Sequence, residues 1–190
     1  MTSSLAQESA LAGDAVAGEA VSKEGPRFES IYAEYFPFVW RCLSSLGVPA
    51  GALDDAAQDV FLIVHRRLGE FEGRSTVRTW LFGIVRNVAS NRRRGMARNP
   101  SRPPATVESA AVEPGPHEVA QDGEAADFVR TFLSTLDAAK RDLFVLAVLE
   151  EMSVPDVAEA LSIPLNTAYT RLRRVRAEFR RALEEKGNEP

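Results

Sequence analysis

Apolar positions along the chain recur at helical spacing in two blocks, separated by a stretch with no period at all. In the first block Phe28, Ile31, Tyr32, Tyr35, Phe36, Val39, Leu43 and Leu46 fall on one helical face. Pro37 is expected to bend this helix and Gly47 to end it. A second helix is predicted after Asp54 or Asp55, with Ala57, Val60, Phe61, Val64 and Leu68 inward. A turn over residues 69–75 precedes a third, whose inner face is Val77, Trp80, Leu81, Ile84, Val85 and Val88.

The second block starts near Asp127 with Phe128, Phe132, Leu133 and Leu136, and Asp137 is placed to cap a helix running through Leu149. Ser153 followed by Asp156 marks another helix start, with Val157, Ala158 and Leu161 as its short apolar face. Ser162, Ile163 and Pro164 stop it, and a last helix starts near Asn166. Its predicted buried stripe is Ala168, Leu172, Val175, Phe179 and Leu183, at intervals of four, three, four and four. No segment alternates with period two, so the expected fold is all-α, with two small helical domains at 26–96 and 126–186.

Between the blocks, residues 97–125 hold Pro100, Pro103, Pro104, Pro114 and Pro116 together with Glu108, Glu113, Glu118, Asp122 and Glu124. This composition predicts a flexible acidic linker. Residues 1–25 are Ala-rich but carry Glu8, Asp14 and Glu19 and lack a basic start, so they read as a disordered extension and not a secretory signal. The longest apolar run, Leu143 to Leu149, is far short of the ~18 residues that cross a bilayer. No membrane insertion is expected.

Charge changes the picture. The formal net charge is −4, yet ten arginines against two glutamates lie between His65 and Arg102, and six against one between Asn166 and Arg181. Two basic islands in an acidic chain suit a protein that meets a polyanion at two places. Arginine supplies 20 of the 23 basic residues, and its planar fork matches phosphate and guanine edges. Either island alone is equally well read as a solvated helix face. The second island, however, coincides with the second helix of a short capped helix–turn–long helix unit. That arrangement is a helix-turn-helix, whose second helix fits the major groove. An ordinary helical hairpin with a charged outer face is the competing reading.

One cysteine, Cys42, and two histidines exclude an internal disulfide and a Cys/His zinc cluster, which fits a reducing cytoplasm. No phosphate-binding glycine loop and no nucleophile–base arrangement is present, so no catalytic residue, cofactor or small-molecule substrate is expected.

Three stretches then carry a family resemblance: DDAAQDVFLIVHRRLGEFEG at 54–73, TWLFGIVRNVASNRRR at 79–94 and SVPDVAEALSIPLNTAYTRLRRVRAEFRRAL at 153–183. In order and spacing they resemble the extracytoplasmic-function (ECF) group of the sigma-70 family of bacterial RNA polymerase initiation factors. Phe28 to Arg94 is similar to sigma region 2 and Asp127 to Leu183 to region 4. The chain departs from the common pattern at Ser162, where glycine often makes the turn, and at Tyr169, where a basic residue is frequent.

The resemblance implies three interfaces. Asp55, Gln58, Asp59 and Leu62 would dock on the clamp of the large polymerase subunit, an acidic and apolar strip suited to a basic helix and not to DNA. Capping and favourable interaction with the helix N-terminus are the competing reading of Asp54, Asp55 and Asp59, and both can hold at once. Phe71, Glu72, Arg74 and Ser75 would receive a flipped base of the −10 element, and Arg78, Asn87, Asn91, Arg92 and Arg93 would track the backbone of that strand. Phe71 also reads as a core residue, and Trp80 reads as structural.

In region 4, Tyr169, Thr170, Arg173 and Arg174 match base-facing positions for the −35 element, with Thr167, Arg171 and Arg176 on phosphates. The partners implied are core RNA polymerase through its clamp and flap, promoter DNA, and an anti-sigma protein. The acidic linker would occupy basic nucleic-acid channels or simply tether. A free-standing helix-turn-helix regulator is the rival function. It leaves the first arginine island without a purpose.

Overall fold

The computed structural model describes residues 26–98 and 123–187. The predicted N-terminal extension and almost all of the predicted linker lie outside the described residues. Among the described residues there are seven α-helices and no β-strand.

Helix α1 spans Phe28–Ser45, α2 Leu53–Arg67 and α3 Val77–Arg98. Helix α1 runs through Pro37 unbroken. The carbonyl that loses its donor to Pro37 belongs to Ala33, an exposed residue, so water can satisfy it. Gly47 follows α1 with φ +85°, a conformation in which a Cβ is strained. Neither Asp54 nor Asp55 caps α2. A 3-10 turn over Ala50–Ala52 leads into the helix, and both aspartates lie in its first turn, where their charge favours the N-terminus.

Thr76 caps α3: its Oγ1 accepts from the Thr79 backbone N–H at 3.1 Å. The helix continues to Arg98 and so takes in the first two residues of the predicted linker. Phe28, Tyr32, Phe36 and Trp40 form an aromatic ladder along α1 at four-residue spacing, with Phe61 of α2 packed 4.7 Å from Tyr32 between ring centroids.

Helix α4 spans Glu124–Thr135, α5 Ala138–Phe144, α6 Val154–Ala160 and α7 Leu165–Gly187. Asp137 caps α5 by accepting from the Lys140 N–H at 2.9 Å, as its position predicts. Arg141 reaches back to the end of α4 and donates to the carbonyls of Leu133 and Leu136 at 2.8 and 3.0 Å. The helix expected through Leu149 changes character at Val145, becoming a π turn over Val145–Leu149. Ser153 caps α6, its Oγ accepting from Asp156 N at 3.3 Å while donating to the Asp156 carboxylate at 2.6 Å.

Ser162 sits in the left-handed region at φ +53°, and the next N–H, of Ile163, bonds back to Ala158. This is the backbone form that glycine adopts without strain. On α7 the stripe Ala168, Leu172 and Val175 is buried, but Leu183 is 46% exposed. Leu183 is therefore a correction to the predicted core: only the first part of α7 is roofed by its neighbours.

The two helical units pack on each other. Their buried side chains form one continuous cluster, from Ile31 through Ala89 in the first unit to Phe132 through Val175 in the second. Helix α6 lies against α3. This contact decides what the candidate sites look like.

Candidate polymerase and nucleic-acid interfaces

On α2, Asp55, Gln58, Asp59 and Leu62 are spaced three, one and three apart and so share one face. Leu62 is 49% exposed, an uncommon position for a large apolar side chain beside carboxylates. Gln58 is exposed and the two aspartates are partly covered. The cover is Arg92 of α3, whose Nη2 bonds Asp59 Oδ2 at 2.5 Å and whose Nη1 lies 3.8 Å from Asp55 Oδ2.

The residues assigned to the −10 strand are brought together only in part. Phe71 packs its ring 5.1 Å from Trp80, so both are half-buried rather than free platforms. Glu72 and Arg74 pair with each other in the exposed loop. Ser75 and Asn87 face one cleft of about 330 Å³, shared with Arg67, Thr79, Trp80 and, from the second unit, Glu159 and Ala160. Arg78 points elsewhere. Its Nη1 donates to the Glu150 carbonyl at 3.2 Å and its guanidinium stacks 5.1 Å over Phe38.

Asn91 accepts from Arg94 at 2.6 Å, and Arg92 is engaged by α2. Arg93 packs near Gly47, where an added methyl would meet its Cδ at 3.7 Å. Arg93 and Arg141 are close enough to repel, and burial together with that repulsion lowers the Arg141 pKa.

On the second unit, α7 presents an open ridge. Tyr169 is 52% exposed, and Thr170, Arg171, Arg173, Arg174 and Arg176 are exposed beside it. Those four arginines form no salt bridge with any described residue, so their donors are free for an anionic ligand. Thr167 is half-buried at the first turn, and the Thr170 hydroxyl donates to the Asn166 carbonyl at 2.9 Å. Lys140 of α5 pairs with Glu178 at 2.8 Å, a bond that raises the lysine pKa and fixes α5 to the α7 flank.

Four further residues matter that the periodic pattern did not single out: Arg41, Arg86, Asp142 and Glu150. Arg41 forks onto Glu150 through Nε and Nη2 at 2.9 and 2.7 Å, and Arg86 Nε bonds Asp142 at 2.6 Å. The only sequence signal was that an acid stands at each end of the Leu143–Leu149 apolar run. Burial raises the Asp142 pKa, a shift that Arg86, Arg93 and Arg141 oppose without cancelling. Burial and the neighbouring Glu150 likewise push the Cys42 thiol well above its usual value, which leaves it inert. Among the described residues no three His, Cys, Asp or Glu side chains gather as metal ligands, and no helix is long and apolar enough to cross a membrane.

Comparison with known proteins matches this geometry. The family model for sigma-70 region 2 covers residues 31–99 and that for sigma-70 region 4 covers residues 129–179. The chain is 32% identical over 140 residues to the RNA polymerase sigma factor NccH of Alcaligenes xylosoxydans xylosoxydans, covering 71% of this chain and 75% of that protein. It is 28% identical over 181 residues to the ECF RNA polymerase sigma factor SigC of Mycobacterium tuberculosis, covering 93% and 92%. Among solved structures, CnrH in complex with the cytosolic domain of CnrY superposes with TM-score 0.62 at 25% identity, covering 83% of this chain and 88% of that one. The sigma factor RpoE in complex with the anti-sigma factor NepR, from Bartonella quintana, shares the fold with TM-score 0.63 at 23% identity, covering 83% and 96%.

The two units thus carry the two regions that define one family: the chain belongs to the ECF group of sigma-70 factors and acts as an alternative sigma factor with RNA polymerase.

Proposed function

We propose that this sigma factor docks on the polymerase clamp through Asp55, Gln58, Asp59 and Leu62, and on the flap through its second unit. It then reads a −35 element with Tyr169, Thr170, Arg173 and Arg174, oriented by phosphate contacts from Thr167, Arg171 and Arg176. Phe71, Glu72, Arg74 and Ser75 receive an unpaired base of the −10 element, while Arg78, Asn87, Asn91, Arg92 and Arg93 follow the strand backbone. The domains acting in this way are residues 26–96 and 126–186, tied by the intervening segment. No bond is made or broken by the chain itself. It works in the cytoplasm, and an anti-sigma protein controls it, as the complexes of the CnrH and RpoE relatives suggest.

The observation that carries this reading is the open arginine ridge on α7. Four exposed guanidinium groups without acidic partners among the described residues leave their donors open to an anion. The test is transcription by purified core polymerase with and without the chain, mapped to start sites across its own genome. New starts preceded by two shared sequence elements at constant spacing are the expected outcome. Unchanged start sites would overturn the reading.

A further inference from the structure

Helix α7 carries two parallel rows at four-residue spacing: Leu165, Tyr169 and Arg173, and beside it Asn166, Thr170 and Arg174. The second row is polar throughout. The first starts on carbon, with Leu165 42% and Tyr169 52% exposed, and reaches a guanidinium only at its third member. One exposed leucine means little by itself. A leucine and a tyrosine one turn apart, at the head of a helix whose next turns are cationic, mean more. Arg171, Arg173, Arg174 and Arg176 hold a polyanion against the same surface. Leu165 is the first residue of α7, directly after the turn made by Ser162, Ile163 and Pro164. In a helix-turn-helix the N-terminal residues of the second helix reach base edges.

What a base edge offers decides the ligand. In the major groove only thymine presents a methyl group; cytosine presents an amino donor, guanine two acceptors and adenine one of each. Carbon packed on the thymine methyl removes apolar surface from water. Packed on the other three edges it covers polar atoms and gives them no partner. The same side chain therefore attracts one base and rejects the rest. We propose that Leu165 and Tyr169 are specificity residues of the −35 contact, each packing on the 5-methyl group of a thymine. This rests on the assignment of α7 to the −35 element, and adds that the element holds thymines at fixed positions read through carbon. Four residues advance the helix by about 6 Å, roughly two base-pair steps, so the two thymines are expected about two pairs apart, on either strand.

The test uses polymerase reconstituted with the full-length chain and a duplex promoter library randomised over the upstream element. Bound duplexes are selected, and each thymine fixed in them is replaced in turn by deoxyuridine, which removes the methyl and keeps the pairing. The expected result is two fixed thymines, with binding weakened about fourfold by uridine at each, the worth of one buried carbon. Leu165→Ala should abolish that penalty at one position and Tyr169→Ala at the other. Both side chains are exposed, so neither variant opens a cavity in the core. Tyr169→Phe keeps the ring and should keep the penalty; its loss there would hand the contact to the hydroxyl and overturn the carbon reading. An element without fixed thymines, uridine that costs nothing, or a penalty that either alanine variant leaves intact at both positions also overturns the proposal. So does an equal loss on selected and scrambled duplexes, which would make the two side chains contacts to polymerase or to the DNA backbone. If such a result comes with Arg174→Ala still relaxing base discrimination, only the methyl contact falls. A library that enriches no upstream sequence removes the −35 assignment as well.

Discussion

Arg92 of α3 gives both Nε and Nη2 to one carboxylate oxygen of Asp59 on α2, at 3.1 and 2.5 Å. A residue assigned to DNA is thereby bonded to a residue assigned to polymerase. With 30% and 48% of the two side chains exposed, solvent screens the pair, and its coupling in stability should stay below about 1 kcal/mol. A double-mutant cycle of Arg92→Ala and Asp59→Ala in urea melts measures it. Core polymerase affinity should respond differently. Asp59→Ala is expected to weaken it by about 1–2 kcal/mol, the range of an important interface side chain. Equal binding by Asp59→Ala and the parent would remove Asp59 from the docking face.

Ser162 holds a left-handed backbone at the turn between α6 and α7. A side chain there costs about 1–2 kcal/mol, while glycine costs the unfolded chain roughly 0.5–1 kcal/mol in entropy. Ser162→Gly should therefore stabilise the chain by up to about 1 kcal/mol. Urea denaturation checks the sign, and −35 duplex affinity should not move.

Asp142 makes stability depend on pH in the direction opposite to a simple salt bridge. Burial raises its folded pKa above the ordinary carboxylate value, despite Arg86, Arg93 and Arg141 around it. A raised folded pKa means that its contribution is fully present below the unfolded value of about 4 and is lost as pH rises through the folded value. Asp142→Asn keeps an oxygen for Arg86 to bond and has no charge to desolvate. Half-exposed Arg86 stays hydrated. The variant is expected to melt at or above the parent temperature at pH 7, with the gap closing or reversing toward pH 4. A variant that melts lower at pH 7 and equal at pH 4 would contradict this.

The arginines of α7 divide by task. Arg174→Ala should relax base discrimination at the −35 element by about 1–3 kcal/mol, and Arg176→Ala should weaken all sequences alike and flatten the salt dependence by about one unit. Polymerase-bound chain, titrated with specific and scrambled promoters at several salt concentrations, separates the two. Equal losses on both promoters for both variants would remove the division.

The helices were legible because their apolar spacing is periodic, and the caps Asp137 and Ser153 because side-chain capping has a local signature. Local competition hid other details. The 3-10 turn before α2 displaced Asp54 and Asp55 from the cap, and Thr76 went unread because the turn before it is already rich in polar residues. The π turn at Val145–Leu149 has the same apolar sequence as a plain helix. For the interfaces, the α7 ridge followed from charge on one helical face. The engagement of Arg78 and Arg92 did not, because an arginine's partner is chosen by contacts 72 and 33 residues away. Arg41 and Glu150, 109 positions apart, have no periodic trace at all.

The central claim is that the two basic faces work only when RNA polymerase holds them. It is tested most directly by titrating promoter duplex with the purified chain alone, with core polymerase alone, and with both, and measuring sequence-specific binding. The account predicts a specific, heparin-resistant complex only when both are present. Tight, specific binding by the chain alone, unchanged by polymerase, would contradict it.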